Sequence, residues 1–510
     1  MKRLREYVPA ILSALLLILA FPPVGLGFLA FVALIPLLPS MESLRLRGIF
    51  LRFWVSGVLF YGATVSWMRY VTWTGMVLAV LTLGLLYALP FVAAGCIRSR
   101  FPGVWLFILP FCVAGFEWVR SFDALAFPWM IFGNSQAGYP WLIQFADITS
   151  AFGVSWWVVM VNIAVYLLVR KRTAGRFILL GLLFLIPLGY SSAVIRTAPE
   201  PLRKLTVALI QGNVPQDEKW GGDVEWNMDL YFSMSLKAAA YRPDLFIWPE
   251  TAIPAYVLQD PYYLHRVQSF VDTLGIPVLS GIPTIDLNFD ASPEKRKTWN
   301  SAGLFLPGGT NVQRYDKIHL VPFGEAIPLD NVFPSLRRID LGQANWDEGR
   351  ETVVFTSPTL PPFHVAICFE SIFPDLNRAS ILKGSQFITV ITNDAWFGPR
   401  SAPIQHAMIA AMRAIEFHRS VVRCANTGIS MIIDPYGRIV RRTATFERTT
   451  LVETITPRAD MTFYARFGNL FGVGSFLFSI ALLILAIRGG GLNGTDARET
   501  AASGAPGKRE

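Results

Sequence analysis

Apolar runs of roughly 20 residues, the length that crosses a bilayer's hydrocarbon core, recur through the first 197 residues of the chain. They fall near 8–22, 25–40, 51–71, 75–96, 102–120, 149–169 and 177–195, and a last one lies near 467–487. In lipid every backbone polar group has to be satisfied internally, so each run predicts a helix. Residues ~205–455 are different: mixed, charged and rich in turn residues. The tail beyond 490 is Gly/Ala-rich and polar, and is expected to be disordered. The predicted organisation is a membrane domain over 1–200 with about seven helices, an extracytoplasmic domain over 201–457, a C-terminal transmembrane helix within 458–490 and a cytoplasmic tail over 491–510.

Composition agrees. Of 510 residues, 53% are hydrophobic and only 16% charged, too apolar for an ordinary soluble protein. The net charge of +9 does not point to nucleic acid, because the basic residues of the first 200 positions sit in short clusters between the apolar runs. The N-terminal MKRLREYVPAILSALLLILAFPPVG resembles a signal peptide, yet no A-x-A-like site follows and further runs come at once, so a retained helix is expected.

Only FPPVG divides the first two runs, and this parity decides which side the soluble domain faces. With a hairpin there, Lys2, Arg3 and Arg5, then Arg45, Arg47 and Arg52, then Arg98 and Arg100, then Arg170, Lys171, Arg172 and Arg176 all fall on one side. The opposite short loops hold little beyond Arg69 and Arg120. The positive-inside rule then predicts eight spans, both ends cytoplasmic and the soluble domain outside. The loop 121–148, rich in Trp, Phe, Pro and Gly, shares that side and reads either as a re-entrant or amphipathic segment or as an ordinary loop with aromatic anchors.

Within the soluble part, strand-like runs cover 205–213, 244–250, 276–282, 301–307, 363–370 and 386–394, with further strands and a turn over 422–440. Helical patterns fit 224–241, 261–274 and 402–419, the last with Ile404, Met408, Ala411 and Ile415 on one face. This is one mixed α/β domain, without a visible internal repeat.

Three chemically notable residues stand at or near strand ends: Glu250 after FIWP, Lys317 in RYDKIHLVPFGE and Cys368 in AICFE. The carboxyl ends of strands are where α/β sites gather. Singly, each has a bland reading: a surface carboxylate, a solvated lysine, a core thiol. Buried and unpaired, an ionised side chain costs several kcal/mol, so together they are expected to converge. The chemistry would be coherent. The carboxylate takes the thiol's proton, the thiolate attacks, and the ammonium stabilises an oxyanion with the Phe369 N–H as a second donor.

Four separated motifs, WPETAIP, YDKIHLVPFGE, ICFES and ITNDAWFG, resemble the nitrilase, or carbon–nitrogen hydrolase, superfamily, whose triad is Glu–Lys–Cys. With seven apolar runs before and one after, plus QGNVPQDEKW and NTGIS, the chain to about residue 490 resembles the bacterial apolipoprotein N-acyltransferase family. That resemblance implies an αββα sandwich facing the periplasm from the inner membrane. It implies fatty acyl transfer, through a thioester, from a phosphatidylethanolamine-type phospholipid to the α-amino group of a lipoprotein's diacylglyceryl-cysteine. Carried over by motif, Glu250 is the general base, Lys317 the oxyanion stabiliser and Cys368 the nucleophile; Glu325, Glu370 and Trp220 fall on further positions the family treats as important. Where many members have Tyr after the nucleophile, this chain has Phe369, so its ring is expected to pack. Both substrates would be lipid-anchored, and the apolar loops 328–346 and 395–403 are candidates for admitting acyl chains.

Other readings remain. Cys368 could pair with Cys424 in a disulfide. A metal is not expected, since His265, His319, His364, His406 and His418 show no ligand spacing with the cysteines. No cofactor motif is present. A membrane-tethered amidase acting on a small substrate would use the same triad. A transporter with a non-catalytic external domain is disfavoured by few intramembrane charges, Glu117 and Arg120 near one end.

Overall fold

The computed structural model describes residues 5–122, 126–199, 203–287, 296–322, 324–326, 346–398 and 401–488. Its N-terminal part is helical: α1 Val8–Ala20, α2 Leu38–Ser43, α3 Leu46–Thr64, α4 Trp73–Arg100, α5 Trp105–Val119, α6 Ala146–Arg170 and α7 Ala174–Arg196. Thr72 caps α4 by accepting from Gly75 N. Arg98 and Arg100, Arg170 and Arg196 lie in the last turns of α4, α6 and α7, where cations complement the helix dipole. Three of these helices, α4, α6 and α7, are long and apolar enough to cross a membrane, as is the C-terminal helix Leu470–Arg488. The face of α7 that carries Phe177, Ile178, Leu182, Leu185 and Ile186 is exposed, as expected for a surface solvated by lipid.

The run 25–40 is not one helix. A 3-10 turn over Gly27–Phe31 and further turns precede α2. Prolines at 22, 23, 36 and 39 interrupt helical bonding, and Asn162 of α6 takes its place. Asn162 accepts from Leu34 N (2.8 Å) and donates to Ala30 O (2.7 Å) and Val158 O (2.9 Å). Irregular backbone among apolar helices survives only with such partners. Asn162→Leu should leave the Leu34 N–H and Ala30 carbonyl unpaired, at about 1–3 kcal/mol each. A clear drop in the detergent unfolding midpoint is expected; an unchanged midpoint would contradict this role.

The aromatic loop folds back among the helices. Its middle is buried, with Ala126, Trp129, Met130, Ile131 and Phe132 inside the protein, while Phe122, Trp141 and Ile148 are exposed. Phe132 N donates to Glu117 Oε1 (2.8 Å), Gly133 N to Ser155 Oγ (2.8 Å) and Gln136 Nε2 to Gly27 O (2.9 Å). Gly133 permits this approach, since a Cβ there would sit 2.2 Å from Ala151 O. Glu117 thus serves the loop, and Arg120, bonded to Tyr61 OH (3.0 Å) and Phe127 O (3.4 Å), does the same.

Beyond residue 203 the described residues form twelve strands: β1 Leu205–Gln211, β2 Leu245–Ile247, β3 Val278–Ile285, β4 Thr298–Phe305, β5 Gln313–Asp316, β6 Val354–Phe355, β7 Phe363–Ile367, β8 Ile388–Thr392, β9 Val421–Ala425, β10 Met431–Ile433, β11 Ile439–Arg442 and β12 Thr449–Ile455. They form two six-stranded sheets, ordered β12-β1-β2-β3-β4-β5 and β11-β10-β9-β8-β7-β6. In the first, β1, β2 and β3 are parallel and β12, β4 and β5 are antiparallel to their neighbours. The second repeats that pattern, with β7, β8 and β9 parallel and β6, β10 and β11 antiparallel. The sequence shows no repeat; the topology does. The short helix α8 Gln216–Gly221 lies at the strand ends, α9 Val224–Ala238 and α10 Pro261–Leu274 pack on the first sheet, and α11 Pro374–Leu382 and α12 Ser401–Phe417 on the second. The result is an αββα sandwich. Its central strands are buried on both faces, which is why they read as continuous apolar runs. On β2, Leu245 and Ile247 join the inter-sheet core while Phe246 packs under the helices.

The expected helices over 224–241, 261–274 and 402–419 correspond to α9, α10 and α12. Helix α12 is buried nearly all round rather than on the single face that its spacing implies, because the N-terminal helices cover its other side. At its C-terminal end Arg413 donates to Ile372 O (3.0 Å) and pairs with Glu416 (2.8 Å), which accepts from Ala151 N (2.9 Å) at the kink of α6. Helices α13 Phe463–Phe467 and α14 Leu470–Arg488 end the described chain. The expected disordered tail lies outside the described residues, as does the candidate loop 328–346 apart from Trp346.

Candidate active site

Strand β2 delivers Glu250. The backbone turns immediately afterwards, with Thr251 in the left-handed region (φ 44°). Gly281 of β3 makes room, since a Cβ there would lie 2.5 Å from Thr251 N and 2.6 Å from Glu250 Cα. The buried carboxylate accepts from Asn300 Nδ2 (2.7 Å) on Oε1 and from Asn393 N (2.7 Å) on Oε2. Lys317 Nζ stands 3.5 Å from Oε1.

Lys317 follows β5 and is fully buried. Its backbone is fixed by bonds to Asn300 O (2.9 Å) and from Gly349 N (2.7 Å). Its ammonium lies 2.8 Å from the Glu325 carboxylate, which also accepts from Val321 N (2.9 Å) and Asn300 Nδ2 (3.2 Å). Burial works to depress the lysine's pKa, but Glu325, Glu250 and Cys368 together carry it well above its ordinary range. The group is a permanent cation.

Cys368 was expected at the end of a strand reaching Glu370. Strand β7 stops at Ile367, and Cys368 opens a 3-10 turn over Cys368–Ile372. It holds a left-handed conformation (φ 54°), which costs a non-glycine residue about 1–2 kcal/mol and marks functional turns. Burial and then Glu250 raise the thiol's pKa well above its usual value, with Lys317 opposing. The resting thiol is protonated, so a nucleophile here needs a base.

Glu370 points away from the thiol. It accepts from Tyr315 OH (2.7 Å), Ile318 N (2.6 Å), His319 N (3.2 Å) and Ile367 N (2.7 Å). Burial pushes its carboxyl up to about 7 against those donors. These bonds tie the Lys317 segment to the Cys368 turn. The Phe369 ring packs, as expected, near Phe127 (6.2 Å between centroids) and edge-on to Phe373 (5.1 Å).

Glu250, Asn300, Glu325 and Asn393 line a cleft of about 450 Å³ with Gln216, Trp220 and Trp396. Trp220 is half-exposed and faces Trp346 (6.5 Å). The structure therefore brings Glu250, Lys317 and Glu325 into direct contact, and sets Trp220 on the rim. Sequence reasoning missed Asn300 and Asn393, whose signal was an amide within or ending an apolar strand. It also missed Lys219, buried with Nζ donating to Glu250 O (2.8 Å) and brought down to about 7 by burial, with Glu250 opposing.

All four cysteines are free. The disulfide reading fails: Cys424 Sγ instead donates to Ile247 O (3.2 Å) within the inter-sheet core. Cys368 Sγ, an Asp394 oxygen and a His406 nitrogen lie within 4.8 Å of one another, but they do not suit a metal. The Arg423 guanidinium is 2.8 Å from Asp394 Oδ2 and 3.1 Å from His406 Nδ1, so the place of a cation is taken.

Residues 206–462 match the sequence model of the carbon–nitrogen hydrolases, and residues 13–164 that of the apolipoprotein N-acyltransferase N-terminal domain. The apolipoprotein N-acyltransferase of Chlorobaculum tepidum is 35% identical, over 90% of this chain and 92% of its own. That of Geobacter metallireducens is 34% identical, over 95% and 96%. Among solved structures, Saccharomyces cerevisiae Nit3, of the nitrilase superfamily, aligns with a TM-score of 0.39 and 19% identity, over 51% of this chain and 93% of its own. With the helical N-terminal part and the sandwich domain both matched along their length, this chain belongs to the apolipoprotein N-acyltransferase family.

Proposed function

We propose that the chain transfers a fatty acyl group from a phosphatidylethanolamine-type phospholipid to the α-amino group of a lipoprotein's N-terminal diacylglyceryl-cysteine, through a thioester on Cys368. The observation that supports this reading is the buried Lys317–Glu250 pair at 3.5 Å, whose two charges both act on the buried Cys368 thiol. Glu250 accepts the Cys368 proton as sulfur attacks the ester carbon. Lys317 and the Phe369 N–H stabilise the oxyanion. The carbon–oxygen bond breaks, and the lysophospholipid leaves with the proton from Glu250. The lipoprotein amine then attacks the thioester, Glu250 takes its proton, and the thiolate leaves and is reprotonated. Glu325 and Asn300 keep Lys317 and Glu250 apart in register, and Trp220 contacts substrate at the rim.

The proposed setting is a bacterial inner membrane crossed eight times, both ends cytoplasmic and the sandwich periplasmic. Two sets of contacts support it. Arg98 meets the Met41 and Leu44 carbonyls and Arg170 meets Glu42, so the basic clusters gather at one end of the helices. Pro22 and Thr64 touch the sandwich. The chain thus passes from one end to the other between residues 22 and 41, although not as a helix.

The test is the intact mass of detergent-solubilised protein after incubation with phosphatidylethanolamine. One added acyl chain is expected, removed by hydroxylamine, absent in Cys368→Ser and discharged by a diacylated lipopeptide. An unmodified but alkylatable Cys368 would favour an amidase on a small substrate instead.

A further inference from the structure

The catalytic scheme leaves two adjacent side chains of α12 without a role. Gln405 is buried, and its amide is fully used. Its Oε1 accepts from Trp67 Nε1 (3.2 Å) and Trp129 Nε1 (2.9 Å), and its Nε2 donates to Pro22 O and Thr64 O (3.0 Å each). That exhausts two donors and two acceptors, and every partner comes from the N-terminal helical part. His406, one residue on, faces the other way. Its Nε2 lies 3.0 Å from the Cys368 carbonyl oxygen and 2.9 Å from Ser371 Oγ. The Trp129 ring covers its face at 5.1 Å.

We propose that His406 is a positioning residue that pins the Cys368 carbonyl, and that Gln405 registers this pin against the N-terminal helices. The hydrogen-bond pattern assigns the proton. A carbonyl oxygen only accepts, so Nε2 carries the hydrogen. Nδ1 lies 3.1 Å from both the Arg423 guanidinium and Asp394 Oδ1, and Asp394 also takes Arg423 (2.8 Å) and Thr392 Oγ1 (3.0 Å). Burial and then Arg423 lower the imidazole's pKa, with Asp394 opposing.

Two consequences follow for the nucleophile. A left-handed cysteine (φ 54°) persists only where its surroundings over-determine it. His406 Nε2 and Ser371 Oγ, both on the Cys368 carbonyl, supply that constraint. In a trans peptide, moreover, the carbonyl and the next N–H point in opposite directions. Holding the Cys368 carbonyl from behind therefore aims the Phe369 N–H the other way, as an oxyanion donor must be aimed. This inference rests on the acyl-transfer reading, but it fails differently.

The test compares His406→Gln, whose amide nitrogen falls near the place of Nε2, with His406→Asn, whose amide falls near Nδ1 and cannot reach the carbonyl. Both variants would be assayed in detergent with phosphatidylethanolamine and a diacylated lipopeptide, beside their unfolding midpoints. His406→Asn should lower kcat about 10–100-fold, as misplacement of a reacting group does. Its phospholipid KM should stay within about threefold and its midpoint close to the parent's. His406→Gln should recover most of kcat. Gln405→Glu keeps both acceptors but loses both donors, and should lower kcat a few-fold in the same manner. Equal kcat in the two His406 variants at equal midpoints would overturn the pin, and parental kcat in Gln405→Glu would overturn its link to the helices. Failure of the acyl-transfer reading would look different: the parent itself would form no acyl-enzyme.

Discussion

Glu250→Gln should form the acyl-enzyme about 10³-fold more slowly than the parent, within the 10²–10⁴ that a positioned general base supplies. Glutamine fills the same space and can keep the Asn393 N–H bond through its one acceptor oxygen, while its NH2 takes the place of the oxygen that Asn300 Nδ2 and Lys317 face, so the unfolding midpoint is read beside the rate. The pH dependence sharpens the test. In the parent, burial and then Glu250 raise the Cys368 thiol's pKa, and on the proposed mechanism Glu250 removes the proton during attack. In the variant only solution base can make the thiolate. Its residual rate should climb about tenfold per pH unit until the thiol titrates. That titration should come at lower pH than in the parent, because a negative neighbour has gone. Single-turnover acylation from pH 6 to 10, followed by mass, measures both effects. A variant with the parent's rate, or with a flat pH profile, would remove Glu250 from the role of base.

Lys317→Met should be damaging twice over. As an oxyanion donor its loss costs about 10²–10³ in kcat. As a buried cation 2.8 Å from Glu325 and 3.5 Å from Glu250, it leaves two buried carboxylates without their counter-charge. Breaking such a pair costs about 3–5 kcal/mol. The double variant Lys317→Met with Glu325→Gln should regain part of that stability while staying inactive. Unfolding midpoints beside acyl-enzyme yields separate the two effects. Recovery of activity along with stability would make Lys317 a structural cation only.

The sandwich was legible because strands buried on both faces are unbroken apolar runs, and a Glu or Cys closing such a run stands out. Lys317 was legible only beside the other two. What escaped was set by distant partners. Strand β12, TTLVETI, lacks an unbroken apolar run, with only Leu451 and Ile455 buried, and it joins β1 from over 200 residues away in the chain. The run 25–40 is apolar enough for a helix, yet Asn162 provides an alternative that local periodicity cannot register. CFES looked like more strand because nothing local announces a left-handed cysteine. Asn300 and Asn393 carry no charge to attract notice, although they hold the two sides of Glu250.

The anchoring of α12 has a kinetic consequence. Gln405 near its start and Glu416 near its end fasten the sandwich to the helical part, so the cleft keeps a fixed place relative to those helices. On the proposed reading, with a phospholipid donor in the same membrane, the enzyme samples that donor in two dimensions. Its rate should follow the mole fraction of phospholipid in the micelle or bilayer. Adding inert detergent should slow the reaction by surface dilution, while changing the bulk lipid concentration at constant mole fraction should not.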